Sequence, residues 1–365
     1  MRRLVPFTIL ALLGMMLAAP VGAANRLPDA RPMFHVRSNA TAAPTGLSPV
    51  QIIKAYNFPA YDATKPLTSA PGYGKTIAIV DAYNDPTAES DLAVFSTKFG
   101  LPACTTANGC FKKVNQSGGT RGLPQTDSGW ALEIALDVEW AHAIAPGAKI
   151  LLVEARSSSL SNLFAAEDYA KSHAQYVSNS WGANEFSVES SYDYHFAQAG
   201  VSIFASSGDG GAQIWPSASP NVISVGGTTL TLNSDGTTAS ETGWGGSGGG
   251  CSAYEAKNPA QNTGSVNCSG KRGTPDVSLD ADPYSGVSVY DSTPYAGSAG
   301  WWQVGGTSAS APMWAARSAD AGVQVNSAYV YGSSIAYRDI TSGSNTQGSC
   351  AVGYDLVTGR GSWTN

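Results

Sequence analysis

The segment Gly305-Gly306-Thr307-Ser308-Ala309-Ser310-Ala311-Pro312 sets a serine behind two glycines and ahead of an alanine-rich run. Glycines let a backbone approach a substrate closely, and a serine at a helix amino terminus lies beside free N–H groups that can face a developing oxyanion. Pro312 falls in the first turn, where a missing N–H costs little. Taken alone, the stretch reads equally well as a Gly/Ser loop before an ordinary helix. A serine hydroxyl becomes a useful nucleophile only when a neighbour accepts its proton, most often a histidine. The four histidines are His35, His142, His173 and His195, and none sits in a glycine-flanked setting that presents an imidazole. Each is expected to be a packed or surface histidine, so the base must be sought elsewhere.

Trp130-Ala-Leu-Glu133-Ile-Ala-Leu-Asp137-Val-Glu139-Trp140 offers a replacement. Glu133 and Asp137 share one face of a helix, whereas Glu139 points away from Glu133. Two like charges on a buried face are tolerable when they share a proton, which would orient Glu133 and leave one of its oxygens to take the proton of Ser308. The bland alternative is a solvated acidic face, but the helix around these acids is apolar. A third acid stands in Ala205-Ser-Ser-Gly208-Asp209-Gly210-Gly211, directly after a predicted strand, at the sheet edge where parallel sheets hold ligands. A protonated Asp209 could donate a hydrogen bond to an oxyanion, although Gly-Asp-Gly-Gly alone would more simply be a turn.

The elements that position these residues alternate from Lys75 onward. Strands are predicted over 76–80, 149–153, 176–180 and 201–205, separated by helices near 91–99, 129–144, 161–172 and 189–199. Strands spaced by helices imply an α/β fold: a mostly parallel central sheet covered by helices on both faces. After Gly210 come short strands and Gly/Ser-rich loops, including 243–250, expected on the surface of the same domain, and then a helix near Ser308.

The bulk numbers frame these elements. Hydrophobic residues make up 42% and charged residues 13% of the 365, enough for a large core, and a net charge of -6 without Lys/Arg clusters argues against a nucleic-acid partner. Residues 1–24 read as a secretory signal peptide: Arg2 and Arg3, an apolar run from Leu4 to Ala19, then small residues around Ala23. Export permits disulfides. Cys104 with Cys110 and Cys251 with Cys268 bracket polar loops and are expected to pair, leaving Cys350 over. Residues 25–45 read as a short extended leader, with the folded domain over 46–365.

Five motifs in order give this sequence a family likeness: the run Gly46-Leu-Ser-Pro-Val-Gln-Ile-Ile-Lys-Ala-Tyr-Asn-Phe58, Glu133 to Asp137 followed by Ala145-Pro-Gly-Ala148, Ser178-Asn-Ser-Trp-Gly182, Ser207-Gly-Asp209, and Gly306-Thr-Ser308 with Pro312. Together they resemble the sedolisin family of serine-carboxyl peptidases, subtilisin-like in fold but not in triad. The resemblance implies a single subtilisin-like domain and a secreted, acid-acting endopeptidase with Ser308 as nucleophile, Glu133 as base, Asp137 as its orienting partner and Asp209 as oxyanion donor. It implies for Asp81, after the first strand, only a supporting role. It also implies one structural Ca2+, held by the carboxylates of Asp339 and Asp355 and the carbonyls of Ile340, Ala351 and Gly353. Ala351 stands where the family usually has glycine. The expected partners are protein or peptide substrates of a monomer with no stable membrane association after signal removal. Family members typically carry a long folded propeptide, whereas only residues 25–45 separate the signal from the domain here. Two other readings stay open: a histidine-dependent protease of the subtilisin type, which would need a histidine where Ser128-Gly129-Trp130 stands, and a non-catalytic binding protein on the same scaffold.

Overall fold

The computed structural model describes residues 27–263, 266–332 and 335–364, so the predicted signal peptide lies outside the described residues. Near the start of these, two short strands, β1 (Arg31–Pro32) and β2 (His35–Val36), precede helix α1 (Pro49–Tyr56). The chain then alternates: β3 (Thr76–Ala82), α2 (Ala88–Phe99), β4 (Phe111–Asn115), α3 (Ser128–Ile144), β5 (Lys149–Ala155), α4 (Leu160–Lys171), β6 (Tyr176–Asn179), β7 (Trp181–Gly182) and β8 (Ser202–Ser206). Beyond it lie β9 (Ile223–Leu232), β10 (Thr238–Gly243), β11 (Gly250–Ala256), β12 (Lys271–Thr274), β13 (Val277–Asp280), β14 (Val287–Tyr295), β15 (Ser298–Gly305) and helix α5 (Thr307–Ala321).

The ten-stranded central sheet includes the run β13-β9-β8-β6-β3-β5-β4, all parallel, with β10 antiparallel to β9 and, beyond β13, the short strands Ser362–Trp363 (parallel) and Tyr337–Arg338 (antiparallel). Alternation along its strands divides the core. Ile77 and Ile79 of β3, with Ile150 and Leu152 of β5, pack into the cluster formed with α1, α2, α3 and α5. Ala78, Val80, Leu151 and Val153 face the opposite cluster, which contains α4. Both faces are therefore apolar, the signature of a parallel sheet covered on each side. Among the described residues, no helix is long and apolar enough to cross a membrane.

Cys104–Cys110 and Cys251–Cys268 are bridged and Cys350 is free. Two local expectations differ from the structure. The segment 189–199 forms a 3₁₀ helix over Glu189–Phe196 instead of an α-helix; its Ser, Tyr and Asp residues are weak helix formers, and Lys171 Nζ takes the carbonyls of Tyr194 and His195 at 3.0 and 2.7 Å. The 243–250 loop is not wholly on the surface, since Ser247 to Gly250 are buried. A Cβ at Gly249 would lie 1.9 Å from the Leu356 carbonyl, so glycine serves close backbone approach here rather than flexibility.

Residues 27–45 are extended as expected, but they are held against the domain. β1 pairs antiparallel with β7, and β2 with β15. Further along, Thr41 and Trp301 exchange backbone hydrogen bonds, Thr41 N–H to Trp301 O at 2.8 Å and the reverse at 2.9 Å.

Candidate active site

Helix α3 begins at Asp127, whose Oδ1 accepts from the N–H groups of Gly129 and Trp130, both at 3.0 Å, so the first turn is capped. From Trp130 to Ile144 every residue of the helix is buried, which makes the two acids of one face interior groups: Glu133 and Asp137 are 0% exposed. Burial raises both carboxyls well above their ordinary range; for Glu133 the neighbouring charges of Asp137 and then Asp81 add to the rise. Oε1 of Glu133 and both oxygens of Asp137 have no partner in normal hydrogen-bond geometry among the described residues, while Ser308, Ser180 and the two acids bear on one another electrostatically. Asp81, at the end of β3, is equally buried, and its carboxyl is raised by burial, Asp137 and Glu154. The sequence thus anticipates a pair, and the structure assembles a continuous buried acid group.

Ser308 enters from the opposite side, at the start of α5. Gly306 precedes that helix with φ 107°, and a Cβ there would lie 2.2 Å from the Met33 carbonyl oxygen and 2.6 Å from Asp209 Oδ2. No other residue type fits without displacing one of them. Asp209 follows β8, and its Oδ1 accepts from the Thr307 N–H and hydroxyl, both at 2.8 Å. Among the described residues its Oδ2 has no hydrogen-bond partner, and His35 Nε2 lies 3.4 Å from it. Burial pushes the Asp209 carboxyl up to about 7, against the two Thr307 hydrogen bonds that lower it.

Met33 occupies the middle of this group and is 2% exposed. Its N–H is shared between Glu133 Oε2 at 3.0 Å and the Ser180 carbonyl at 3.2 Å, and its carbonyl accepts from the Ser308 N–H at 3.1 Å. The leader therefore crosses the site as an extended strand, with Met33 between Glu133 on α3 and Ser308 on α5. Sequence reasoning missed this role, because the Pro- and Asn-containing stretch has no apolar period; the signal it did carry was Met33-Phe34, two adjacent large apolar residues. The other histidines lie elsewhere: His142 Nε2 meets the Pro102 carbonyl, His173 Nδ1 the Tyr169 carbonyl, and His195 Nδ1 the Asp168 carboxylate. The Ser308 hydroxyl itself donates to the Ser180 carbonyl at 3.3 Å.

The sequence matches the subtilase family over residues 125–329, a span that contains Glu133, Asp137, Asp209 and Ser308. The chain belongs to the subtilase family, and with it to the serine-type peptidases. Among subtilases its relatives are sedolisins. Kumamolisin from Bacillus sp. (strain MN-32) is 29% identical over 395 residues, covering 92% of this chain and 67% of that one. Sedolisin from Pseudomonas sp. (strain 101) is 30% identical over 404 residues, covering 96% of this chain and 66% of that one. The chain thus spans about two thirds of the length of these relatives. The structure of Pseudomonas sedolisin, a serine-carboxyl proteinase complexed with two molecules of pseudo-iodotyrostatin, superposes with a TM-score of 0.74 at 28% identity, covering 88% of this chain and 96% of that one. The subtilisin-like fold expected of the sequence is the fold of this subtilase.

The residues expected to hold calcium also meet. Asp339 Oδ2 accepts from the Gly353 N–H at 2.9 Å and Asp355 Oδ2 from the Ala351 N–H at 3.2 Å, so the two halves come together on one loop. Among the described residues, no N–H or hydroxyl donates to the carbonyls of Ile340, Ala351 or Gly353. Two carboxylates and three carbonyls are oxygen donors of the kind a hard cation takes, although Asp355 Oδ1 already accepts from the N–H groups of Val357 and Thr358, both at 2.8 Å.

Proposed function

We propose that this subtilase is an exported, acid-acting serine-carboxyl endopeptidase that cleaves protein or peptide substrates as a monomer through an acyl-enzyme at Ser308. The supporting observation is the environment of Met33: its carbonyl takes the Ser308 N–H, its N–H meets Glu133 Oε2, and its carbonyl oxygen and Asp209 Oδ2 both border Gly306. In this reading Glu133 accepts the Ser308 proton as the hydroxyl attacks and returns it to the leaving amine. Asp137 shares a proton with Glu133 and orients it. The Ser308 N–H and protonated Asp209 stabilise the tetrahedral oxyanion, a contribution worth about 3 kcal/mol per donor in related acyl transfers. Asp81 supports the buried acids by its charge and proton. Ca2+ bound by Asp339, Asp355 and the carbonyls of Ile340, Ala351 and Gly353 would tie the carboxyl-terminal loop together.

Residues 31–36 stand where a bound peptide would run, pairing with β7 on one side of Ser308 and with β15 on the other. They are a ready image of substrate. A fluorophosphonate or peptide-aldehyde probe applied at acidic pH tests the assignment: labelling at Ser308 that is lost in Glu133→Gln supports it. Absence of labelling in leader-free protein, with no peptide cleaved at any pH, points to the non-catalytic alternative.

A further inference from the structure

We propose that Asp85, Asp91 and Asp291, backed by Glu139, form a second cation site that takes Ca2+, separate from Ser308 and from the carboxyl-terminal loop. Asp85 lies in the corner after β3, Asp91 in α2 and Asp291 in β14, so three elements converge, and Glu139 of α3 is close enough for the charges of all three to act on it. One oxygen from each of the three aspartates lies within 4.8 Å of the other two. Oxygens on opposite sides of a calcium ion, at 2.3–2.6 Å each, stand about 4.6 to 5.2 Å apart, so this spacing accommodates a shared ion.

Asp85, Asp291 and Glu139 are each held by donors that leave one oxygen unused, whereas both oxygens of Asp91 accept from Ser292. Thr87 N–H and hydroxyl donate to Asp85 Oδ1, both at 2.9 Å; Thr293 N–H donates to Asp291 Oδ1 at 2.7 Å; Tyr290 N–H donates to Glu139 Oε2 at 3.0 Å. Ser292 fixes Asp91, its N–H to Oδ2 at 2.9 Å and its hydroxyl to Oδ1 at 2.8 Å. That leaves Asp85 Oδ2, Asp291 Oδ2 and Glu139 Oε1, each on a side chain no more than 1% exposed, with no hydrogen-bond partner among the described residues. Among the described residues, no Lys or Arg forms an ion pair with any of the four acids; Lys113 Nζ instead reaches Glu154 Oε1 at 3.6 Å and the Asp85 carbonyl at 2.6 Å. Interior carboxylates are kept neutral by protons, paired with cations, or bound to a metal. A divalent ion would offset the charge and pin the β3–α2 corner to β14.

The test counts metal ions on the Ser308→Ala protein, which stays intact whatever the outcome for peptidase activity. After chelation and gel filtration it is titrated at neutral pH with Ca2+ alone, and bound metal is measured by elemental analysis and calorimetry. Asp291→Asn should hold one equivalent fewer than its parent and melt lower in Ca2+. Equal calcium content in Asp291→Asn and parent overturns the site. If Asp291→Asn does not fold, the Asp339→Asn protein decides: one tightly bound ion retained supports the site, and loss of all calcium overturns it.

Discussion

The Ser308 N–H donates to the Met33 carbonyl at 3.1 Å while the Met33 N–H reaches Glu133 Oε2 at 3.0 Å, so a single leader residue spans the two helices that carry the proposed nucleophile and base. A peptide held in this way presents one carbonyl to the groups that would polarise it. The bond that follows, Met33–Phe34, is the one at risk.

Self-cleavage at that bond is the first expectation. Active protein incubated at acidic pH should yield a new amino terminus at Phe34, by first-order kinetics independent of concentration, whereas Ser308→Ala should stay uncut. Amino-terminal sequencing and intact mass decide it. Processing that begins at Gly46 instead, or that proceeds equally in Ser308→Ala, would show that the leader's pose is not a reactive one.

The proposed acids and serine should fail as a unit. Ser308→Ala, Glu133→Gln and Asp137→Asn are each expected to reduce kcat/KM by about 10⁴-fold or more, with the double variants scarcely worse than the singles. The amides preserve side-chain volume at 0% exposure, and circular dichroism should show an unchanged fold. Substantial activity in Glu133→Gln would remove the carboxylate base from the mechanism.

How much of this was legible depended on whether local sequence carried the constraint. Strands β3, β5, β6 and β8 were readable because a doubly covered sheet writes itself as short apolar runs, and the helix bearing Glu133 and Asp137 was readable from its apolar surroundings. The mutual approach of Glu133, Asp209 and Ser308 came from motif order, since nothing in spacing alone brings residues so distant in the chain together. The leader's place in the cleft was not legible: its hydrogen bonds are backbone ones, available to any sequence in extended conformation. The grouping of Asp85, Asp91, Glu139 and Asp291 escaped for a related reason, because its members come from four elements and each aspartate alone resembles a turn or cap residue.

Asp209 sets the expected alkaline limb. An oxyanion donor must hold its proton, and with the carboxyl pushed up to about 7 that proton is present in acid and lost as pH rises through neutrality. Activity should fall over that range while the protein remains folded. Asp209→Asn donates at every pH, so its peak should drop by less than the roughly 10²–10³-fold loss of deleting a donor, and its alkaline limb should flatten. A parent activity that rises to a plateau above neutrality would require one of the histidines as base.

Stability should follow the same direction, and Glu167 provides the cleanest reading because it lies on α4, away from Ser308 and from both proposed cation sites. Its side chain is 0% exposed, neither oxygen has a partner in normal hydrogen-bond geometry among the described residues, and burial pushes its carboxyl up to about 8 from an ordinary 4.5. Folding therefore favours the protonated acid. Its contribution is fully present below about 4.5 and is lost as pH rises through 8, by an amount on the order of a few kcal/mol. The Asn179 side chain bears on the Glu167 carboxyl and opposes part of the rise that burial causes. Glu167→Gln keeps the shape and offers an amide donor at all pH values. Thermal unfolding should thus show little difference between Glu167→Gln and parent at pH 4, and a growing advantage for the variant toward pH 9. A difference in melting temperature that stays constant across that range would mean that Glu167 is not held protonated in the fold.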